Sequence, residues 1–595
     1  MFGAAAIVDN ERCKKGISRK KLTKGLCSQQ SLAKSASSGY NLELYLFVML
    51  LERMDLSVDN LEFILSKNEY NKVSTIDKIE EYIISRDFFK ARSLLEGYFN
   101  QIVKLSPIEK MFYYRITAEI MLYTVNESTE LTLARDYAIK AINSTLPGIS
   151  YENYSEYLYS TYEYENLLLY AKSLCMLNNT EKAFKLLLTI YNHASDTISN
   201  HSLLARVIPK CTYLLTIYCK EYIDDSLLID YLERSIELLR SNYIIYFTEP
   251  LLTELISLYT ELNNHEKMSY WLTYKNVIAD IWNNCYPEAI QDSLLFHWIM
   301  TSYHLDYEII RCERSSQNIS QDELSMEIYQ SPVSVSRLEN AVSSPRKHHY
   351  DELSKQLGLN KPRFGGFILT DSFEYLNHIA SIRELLGNGR LDDVIKLITE
   401  TTPKNNKEKS LLCAYHALAL ISKEKETPDS AKTQIKEYFN KWYPVLKLQH
   451  IRKPFQEEAD ILGVYIYLLS ENDPILASEI LFKLKNAFDS SDCNPRYNYR
   501  SYGSFSILFI RHTISIISDN DITNFMNQSI KYSLSCGKGN EIYSLLWAKI
   551  VRERILGQRI SIDLEYQSYI LADFFHSVSA DNKRKFYEKD KHCKD

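Results

Sequence analysis

The sequence states one plan twice. Ile17, Leu22, Leu26, Leu32, Leu50, Met54 and Leu56 return as Ile319, Leu324, Ile328, Val335, Leu353, Leu357 and Leu359, offset by 302 before an intervening turn and by 303 after it. Phe63-Ile64-Leu65-Ser66 then aligns with Phe367-Ile368-Leu369-Thr370, and SRDFFKA aligns with GNGRLDDV. A hydrophobic pattern selects one architecture, so a pattern written twice asks both halves to fold alike. The halves join near residue 303.

Both halves carry Leu, Ile and Tyr at three- and four-residue spacing, the period of a helix. Gly (16) and Pro (14) are scarce among 595 residues, well under their usual shares of roughly 7% and 5%, so little interrupts the helices. A chain this long exceeds one ordinary core, and stacked helical hairpins solve that by extending a continuous core. Slim residues recur where paired helices must approach: Ala91, Ala138, Ala183 and Met268, then Val394, Ala431, Ala477 and Met526. Their intervals of 37 to 49 residues, with one of 85, exceed the 34 of regular tetratricopeptide (TPR) repeats. The predicted fold is all-α, two helix-turn-helix modules each followed by a TPR-like helical-hairpin superhelix. The boundaries are 1–66, 67–303, 304–366, 367–580 and a charged, frayed tail at 581–595.

Residues 306–363 read as five short helices. Ser320 is the N-cap of the second and Glu323 closes a capping box; that helix ends near Ile328. Ser331 caps a third helix, Val333 to Glu339, whose entry residue Pro332 lacks only an N–H that would stay unpaired there. Leu324, Ile328, Val335 and Leu338 bury the facing sides, with Leu353 and Leu357 closing the core. Gln321, Val333, Ser334 and Arg337 are left outward, where a recognition helix meets a major groove.

This stretch resembles the lambdoid-repressor (XRE-type) helix-turn-helix family over about sixty residues. Arg314, Gln321 and Glu339 stand at the spacing of that family's helix 1 arginine, helix 2 glutamine and helix 3 glutamate. The resemblance implies a structural Arg314–Glu339 pair, a phosphate contact from Gln321, a DNA-facing set of Ser331, Val333, Ser334 and Arg337, and backbone contacts from Asn340 and Lys347. Nine acidic residues against eight basic ones over 306–363 leave a second reading, a fold kept without DNA.

The first copy is altered. Lys34, Ser35 and Ala36 stand where Arg337, the buried Leu338 and Glu339 do, and a turn through Gly25-Leu26-Cys27-Ser28 is one residue shorter. Arg19, Gln29, Gln30, Ser31 and Lys34 are its secondary DNA-binding candidates. Residues 9–34 hold eight Lys or Arg against two acids, a local +6 that favours sequence-independent, salt-sensitive contact.

An XRE-type domain followed by TPR-like helices resembles the Rgg/PlcR-type (RRNPP) peptide-responsive regulators of Gram-positive bacteria. The resemblance implies a cytoplasmic, bacterial, quorum-sensing transcription regulator that binds double-stranded DNA as a homodimer and an oligopeptide signal in its TPR groove. Two modules in one chain offer an alternative to dimerisation. The peptide-binding residues are not specified by any motif. A TPR adaptor with vestigial modules is the competing reading.

The remaining chemistry is sparse. A net charge of −7 and a pI near 6.1 confine nucleic-acid contact to small patches. Eleven cysteines show no metal spacing and read as core thiols, while His348-His349 point to different sides of a helix. Neither phosphate-loop nor hydrolase motifs occur, so no enzyme, cofactor or metal is predicted. No apolar run is long enough for a membrane span. The forty-five tyrosines, dense over 151–170, are assigned to helix packing.

Overall fold

The computed structural model describes residues 4–592 except 39–41, 60, 126, 151–152, 299–300, 328–330, 344–351, 354–355, 358–366, 369–372, 388, 404–405, 424–428, 443–450 and 514–516. The described residues form helices and one small sheet. They fall into two compact units, one of Met1–Asp59, Asn71–Trp298 and Gly537–Gly539, the other of Asn60–Tyr70, Ile299–Cys536 and Asn540–Asp595.

Unit 1 begins with a module of α1 (Ala4–Lys14), α2 (Arg19–Thr23), α3 (Gln29–Ser38) and α4 (Leu44–Glu52). After β1 (Glu62–Leu65), which belongs to unit 2, and α5 (Lys67–Ile84), which unit 1 takes over from Asn71, come α6 (Phe88–Phe99), α7 (Pro107–Thr124), α8 (Ser128–Thr145), α9 (Thr161–Met176), α10 (Thr180–Thr197), α11 (His201–Cys219), α12 (Asp225–Ser241), α13 (Thr248–Glu261) and α14 (His265–Cys285). From α6 onward each helix packs on the next, while α7, α9, α11 and α13 also pack in sequence as an inner layer. Local chemistry sets the starts. Ser106 and Glu109 form a capping box ahead of Pro107, and Ser160 and Glu163 form another. Ala91, Ala138 and Ala183 are fully buried, as their slim size requires, whereas Met268 is half-buried. A larger residue at Ala183 would overpack the hairpin by about 1–3 kcal/mol. The 85-residue interval in the repeat holds the α11–α12 hairpin.

Unit 2 contains β2 (Ser302–Leu305), α15 (Asp306–Ser316), α16 (Gln321–Glu327), α17 (Pro332–Glu339) and β3 (Phe367–Ile368). Its array follows: α18 (Phe373–Gly387), α19 (Leu391–Glu400), α20 (Asn406–Lys423), α21 (Asp429–Trp442), α22 (Gln456–Asn472), α23 (Pro474–Asp489), α24 (Tyr499–His512), α25 (Asp519–Ser535), α26 (Ile542–Ile555), α27 (Ile562–Phe574) and α28 (Ala580–His592). Here α20, α22, α24 and α26 form the inner layer. The slim Val394, Ala431, Ala477 and Met526 are all buried.

Two features depart from the sequence expectation. The repeated Phe-Ile dipeptides are strands: β1 pairs parallel with β2, Glu62 opposite Ser302, and antiparallel with β3, where Phe63 faces Ile368 and Ile64 faces Phe367. A four-residue apolar run has no period that separates strand from helix, and its partners lie far off in sequence. The predicted frayed tail is instead α28, held by an Arg554–Asp590 ion pair of 2.9 Å and by Phe586 under the Arg554 guanidinium. Burying an aromatic face offsets the entropy of ordering a charged end.

Gly537-Lys538-Gly539, the turn between α25 and α26, belongs to unit 1. Ile245 N–H donates to the Gly537 carbonyl and Gly539 N–H to that of Tyr243, each at 2.9 Å. Gly537 has φ +73°, and a Cβ there would lie 2.7 Å from the Phe296 ring, so conformation and space both demand glycine.

Candidate nucleic-acid interface

In the second module the predicted caps form. Ser320 Oγ accepts from Glu323 N–H at 3.1 Å while Glu323 accepts from Ser320 N–H at 2.7 Å. Ser331 Oγ accepts from Ser334 N–H at 3.2 Å. These caps set the starts of α16 and α17; Ile328 to Gln330, between the two helices, lie outside the described residues. Leu324, Val335, Leu338, Leu353 and Leu357 meet in one core with Ile309, Ile310, Ile64 and Phe455.

Glu339 pins the module. Its carboxylate, 2% exposed, accepts Arg314 Nε at 2.6 Å, Arg314 Nη2 at 3.0 Å and Gln321 Nε2 at 2.6 Å. Arg314 Nη1 also donates to the Ile319 carbonyl at 2.6 Å, which closes the turn between α15 and α16. Gln321 therefore spends one amide hydrogen inside the module. Val333, Arg337 and Asn340 are exposed at i, i+4 and i+7, one stripe along α17. Ser331 is exposed beside them and Ser334 is half-buried. Lys347 and His348-His349 lie outside the described residues.

The first module keeps the turn and changes the pin. Arg12 Nη1 holds the Ile17 carbonyl at 2.6 Å, as Arg314 holds Ile319, and Ser28 Oγ caps α3 through Ser31 N–H at 3.0 Å. Ala36 offers no carboxylate, so Asp9 on α1 takes Arg12 at 2.9 Å and both prongs of Arg19 at 2.8 and 2.6 Å. The Arg19 hydrogen bond is the chief reason the Asp9 carboxyl is held below its usual range. Arg19 is thus bonded within the module with its side chain still 40% exposed, while Gln29, Gln30, Ser31 and Lys34 stand exposed. Ser35, expected to be a buried replacement for Leu338, is only half-buried, so its hydroxyl carries little desolvation cost. Arg53 fastens this module to its array, donating to the carbonyls of Leu22 at 2.9 Å, Lys24 at 2.8 Å and Thr145 at 3.2 Å and to the buried Glu163.

Unit 2 also holds an open cavity of about 340 Å³ on the inner layer. Its polar centre is Arg383, whose guanidinium meets Asp460 at 2.5 and 3.0 Å, with Tyr415 O–H donating to Asp460 at 2.8 Å. Burial works against the Arg383 charge, but Asp460 outweighs it and raises the pKa. Tyr415, Gly463, Ser504 and Leu508 line the walls.

A chain of contacts runs from this cavity to the second module. Arg383 Nη1 donates to Gln456 Oε1 at 3.2 Å, and Gln456 Nε2 donates to Ser302 Oγ at 2.7 Å. Next to it Phe455 enters the module's core, and Arg452 bridges Glu458 at 2.7 Å to Glu313 of α15 at 2.9 Å. None of these residues belongs to a motif in the sequence. Among the described residues no cluster could hold a metal ion, and no helix is long and apolar enough to cross a membrane.

No family model matches the chain and no curated protein matches it. Solved structures similar to it include PlcR of Bacillus thuringiensis in complex with the peptide PapR7 and DNA, at 14% identity over 48% of this chain and 98% of that one, with a TM-score of 0.29. ComR of S. thermophilus in complex with DNA and its signalling peptide ComS gives 14%, 48%, 99% and 0.29. ComR of Streptococcus vestibularis in complex with its cognate signalling peptide XIP gives 15%, 48%, 98% and 0.27.

Proposed function

We propose that the chain is a sequence-specific DNA-binding transcription regulator whose second helical array senses an oligopeptide, in the manner of quorum-sensing regulators. The observation that carries the reading is the Glu339 pin: it fixes three helices from within and leaves Val333, Arg337 and Asn340 as an exposed stripe on α17. In this reading Arg337 reads a base edge, Val333 contacts a thymine methyl, and Gln321, Ser331, Ser334, Asn340 and Lys347 set the register on phosphates. The first module contributes Gln29, Gln30, Ser31 and Lys34 to a weaker contact, with Arg19 serving the fold.

Sensing would use the cavity at Arg383 and Asp460. An extended peptide that engages either group competes for the Arg383–Gln456 hydrogen bond, and Gln456 adjoins the Phe455 anchor of the second module. A ligand that binds one seating of that anchor better than another shifts the population of DNA-competent chains by its differential affinity.

The test is fluorescence anisotropy of the full chain on DNA tiled across its own gene neighbourhood, with random competitor DNA. One tile should saturate, and Arg337→Ala should weaken it by about 1–3 kcal/mol without changing the melting curve. Equal, weak, salt-sensitive binding to every tile would instead favour the adaptor reading.

A further inference from the structure

Residues 286–298 carry no regular secondary structure, yet Ile290, Ser293 to Phe296 and Trp298 are buried. They lie along the inner-layer helices α7, α9 and α11. Glu119 of α7 accepts from Ser293 Oγ at 2.8 Å and from Leu294 N–H at 3.0 Å. Lys210 of α11 donates to the carbonyls of Leu294 at 2.7 Å and Phe296 at 2.9 Å. Tyr123 and Tyr213 hydroxyls each donate to Asp292 at 3.2 Å, and Tyr246 O–H accepts from Ser293 N–H at 3.2 Å. The side chains are gripped too: Phe296 stacks on Tyr246 at 3.7 Å, His297 stacks on Tyr162 at 4.5 Å, and Trp298 packs by the Arg206 guanidinium.

This is how a peptide-binding groove treats a ligand. Backbone N–H and C=O groups are read by fixed charged side chains, and alternate residues enter pockets. Glu119 and Lys210 are buried charges, costly to maintain unless something fills their hydrogen bonds. Glu165 compensates Lys210 from α9 at 2.5 Å, and the segment's carbonyls complete the ammonium's shell.

Among the described residues, the second half shows the same groove without such a segment. Glu163 and Glu458 each accept from the backbone N–H of the N-cap residue, Ser160 and Phe455, at the starts of α9 and α22, so Glu165 corresponds to Asp460, two residues further on. The Thr212–Ser235 hydrogen bond recurs as Ser506–Ser529, so Lys210 corresponds to Ser504. Asp460 and Ser504 line the open cavity. The chain after α27 forms α28 and packs on α26 and α27 through Phe586 and Asp590, away from that lining.

We propose that Tyr286–Trp298 is a built-in ligand of the unit 1 groove, which takes the same extended, acidic-then-aromatic peptide in trans once its own segment is released. Only unit 2 then keeps a groove for a peptide from outside, one per chain; this last clause rests on the proposed sensing role, whereas the occupancy of unit 1 does not.

The experiment uses the full chain and a fluorescent synthetic peptide of residues 287–298 carrying a photoreactive group in place of Leu295. Two variants release the segment. One is Phe296→Ala with Trp298→Ala; the other is Asp292→Lys, which sets a second ammonium beside Tyr123, already faced by Lys172 at 4.3 Å. The expected result is at least tenfold tighter peptide binding by a released variant than by the wild type, with cross-links mapping to α7, α9 or α11. A variant that keeps the wild-type circular dichroism spectrum but takes no peptide there overturns the proposal, as does a wild type that binds equally well. If the aromatic variant fails to fold, Asp292→Lys decides; unfolding of both would show the segment to be ordinary core and would also overturn it.

Discussion

Arg314 and Glu339 join the first and third helices of the second module through two parallel hydrogen bonds, of 2.6 and 3.0 Å, and the first module has replaced that pair without losing the turn it guards. Arg12 keeps the arginine's hold on the Ile17 carbonyl, Ala36 removes the glutamate, and Asp9 supplies the carboxylate from α1 instead. One fold has therefore been pinned from either side.

That exchange can be transplanted. Glu339→Ala leaves Arg314 and Gln321 facing each other without an acceptor, and breaking a buried pair costs about 3–5 kcal/mol. Adding Arg311→Asp places a carboxylate three residues before Arg314, as Asp9 stands before Arg12, and Arg311 is exposed. Denaturant melts should show the double variant regaining at least half of the loss. No recovery would mean that Asp9 owes its position to features that the second module lacks.

Gly25 predicts a steric failure. Its φ is +79°, and a Cβ would fall 2.0 Å from the Thr145 carbonyl oxygen and 2.7 Å from Pro147 Cδ. Gly25→Ala must both strain the backbone, at about 1–2 kcal/mol, and push the turn off α8. Hydrogen exchange should show α2 and α3 losing protection before the inner-layer helices do.

The features legible from sequence were those written at short range. Ser320 with Glu323, Ser331 and Ser28 declared their caps within three residues, and the family resemblance implied the Arg314–Glu339 pair but not the bond of Gln321 to Glu339. What depends on distant partners was not legible. Arg383 and Asp460 are separated by 77 residues, and neither stands out from its helix. The strands were too short to have a period, and the 286–298 segment has none, because its geometry is imposed by the groove around it. The bond from Arg19 to Asp9, ten residues away, was likewise not legible.

His297 predicts an acid-sensitive unit 1. Burial and then the neighbouring Arg206 push its pKa down to about 4, so the folded state stays neutral where the unfolded imidazole, with a pKa of about 6.5, takes up a proton. Its contribution is therefore complete above pH 6.5 and is lost as pH falls toward 4, by about 2 kcal/mol at pH 5. Glu52 and Glu80 act in the opposite sense, since burial raises them to about 7 and about 8 and the folded state loses stability as pH rises from 4.5 through those values. His297→Phe keeps a ring on Tyr162 and removes the titration. Urea melts at pH 7 and pH 5 should show the wild type losing more stability than the variant, and equal losses would remove His297 as the cause.

Gly463 offers a way to close the unit 2 cavity without harming the array that forms it. It lies inside α22, where glycine costs about 1 kcal/mol relative to alanine, and a Cβ there would meet only Leu508 Cδ1 at an ordinary 3.9 Å. Gly463→Leu therefore favours the helix and directs an apolar side chain into the 340 Å³ space beside Arg383 and Asp460. The melting temperature should rise, and operator binding should persist while any peptide-dependent change in it disappears. A fall in melting temperature would mean that the side chain has no room to enter, and the cavity would then be too tight to admit a peptide. A rise accompanied by an intact peptide response would place the sensing site elsewhere, because a ligand cannot act through a space already filled.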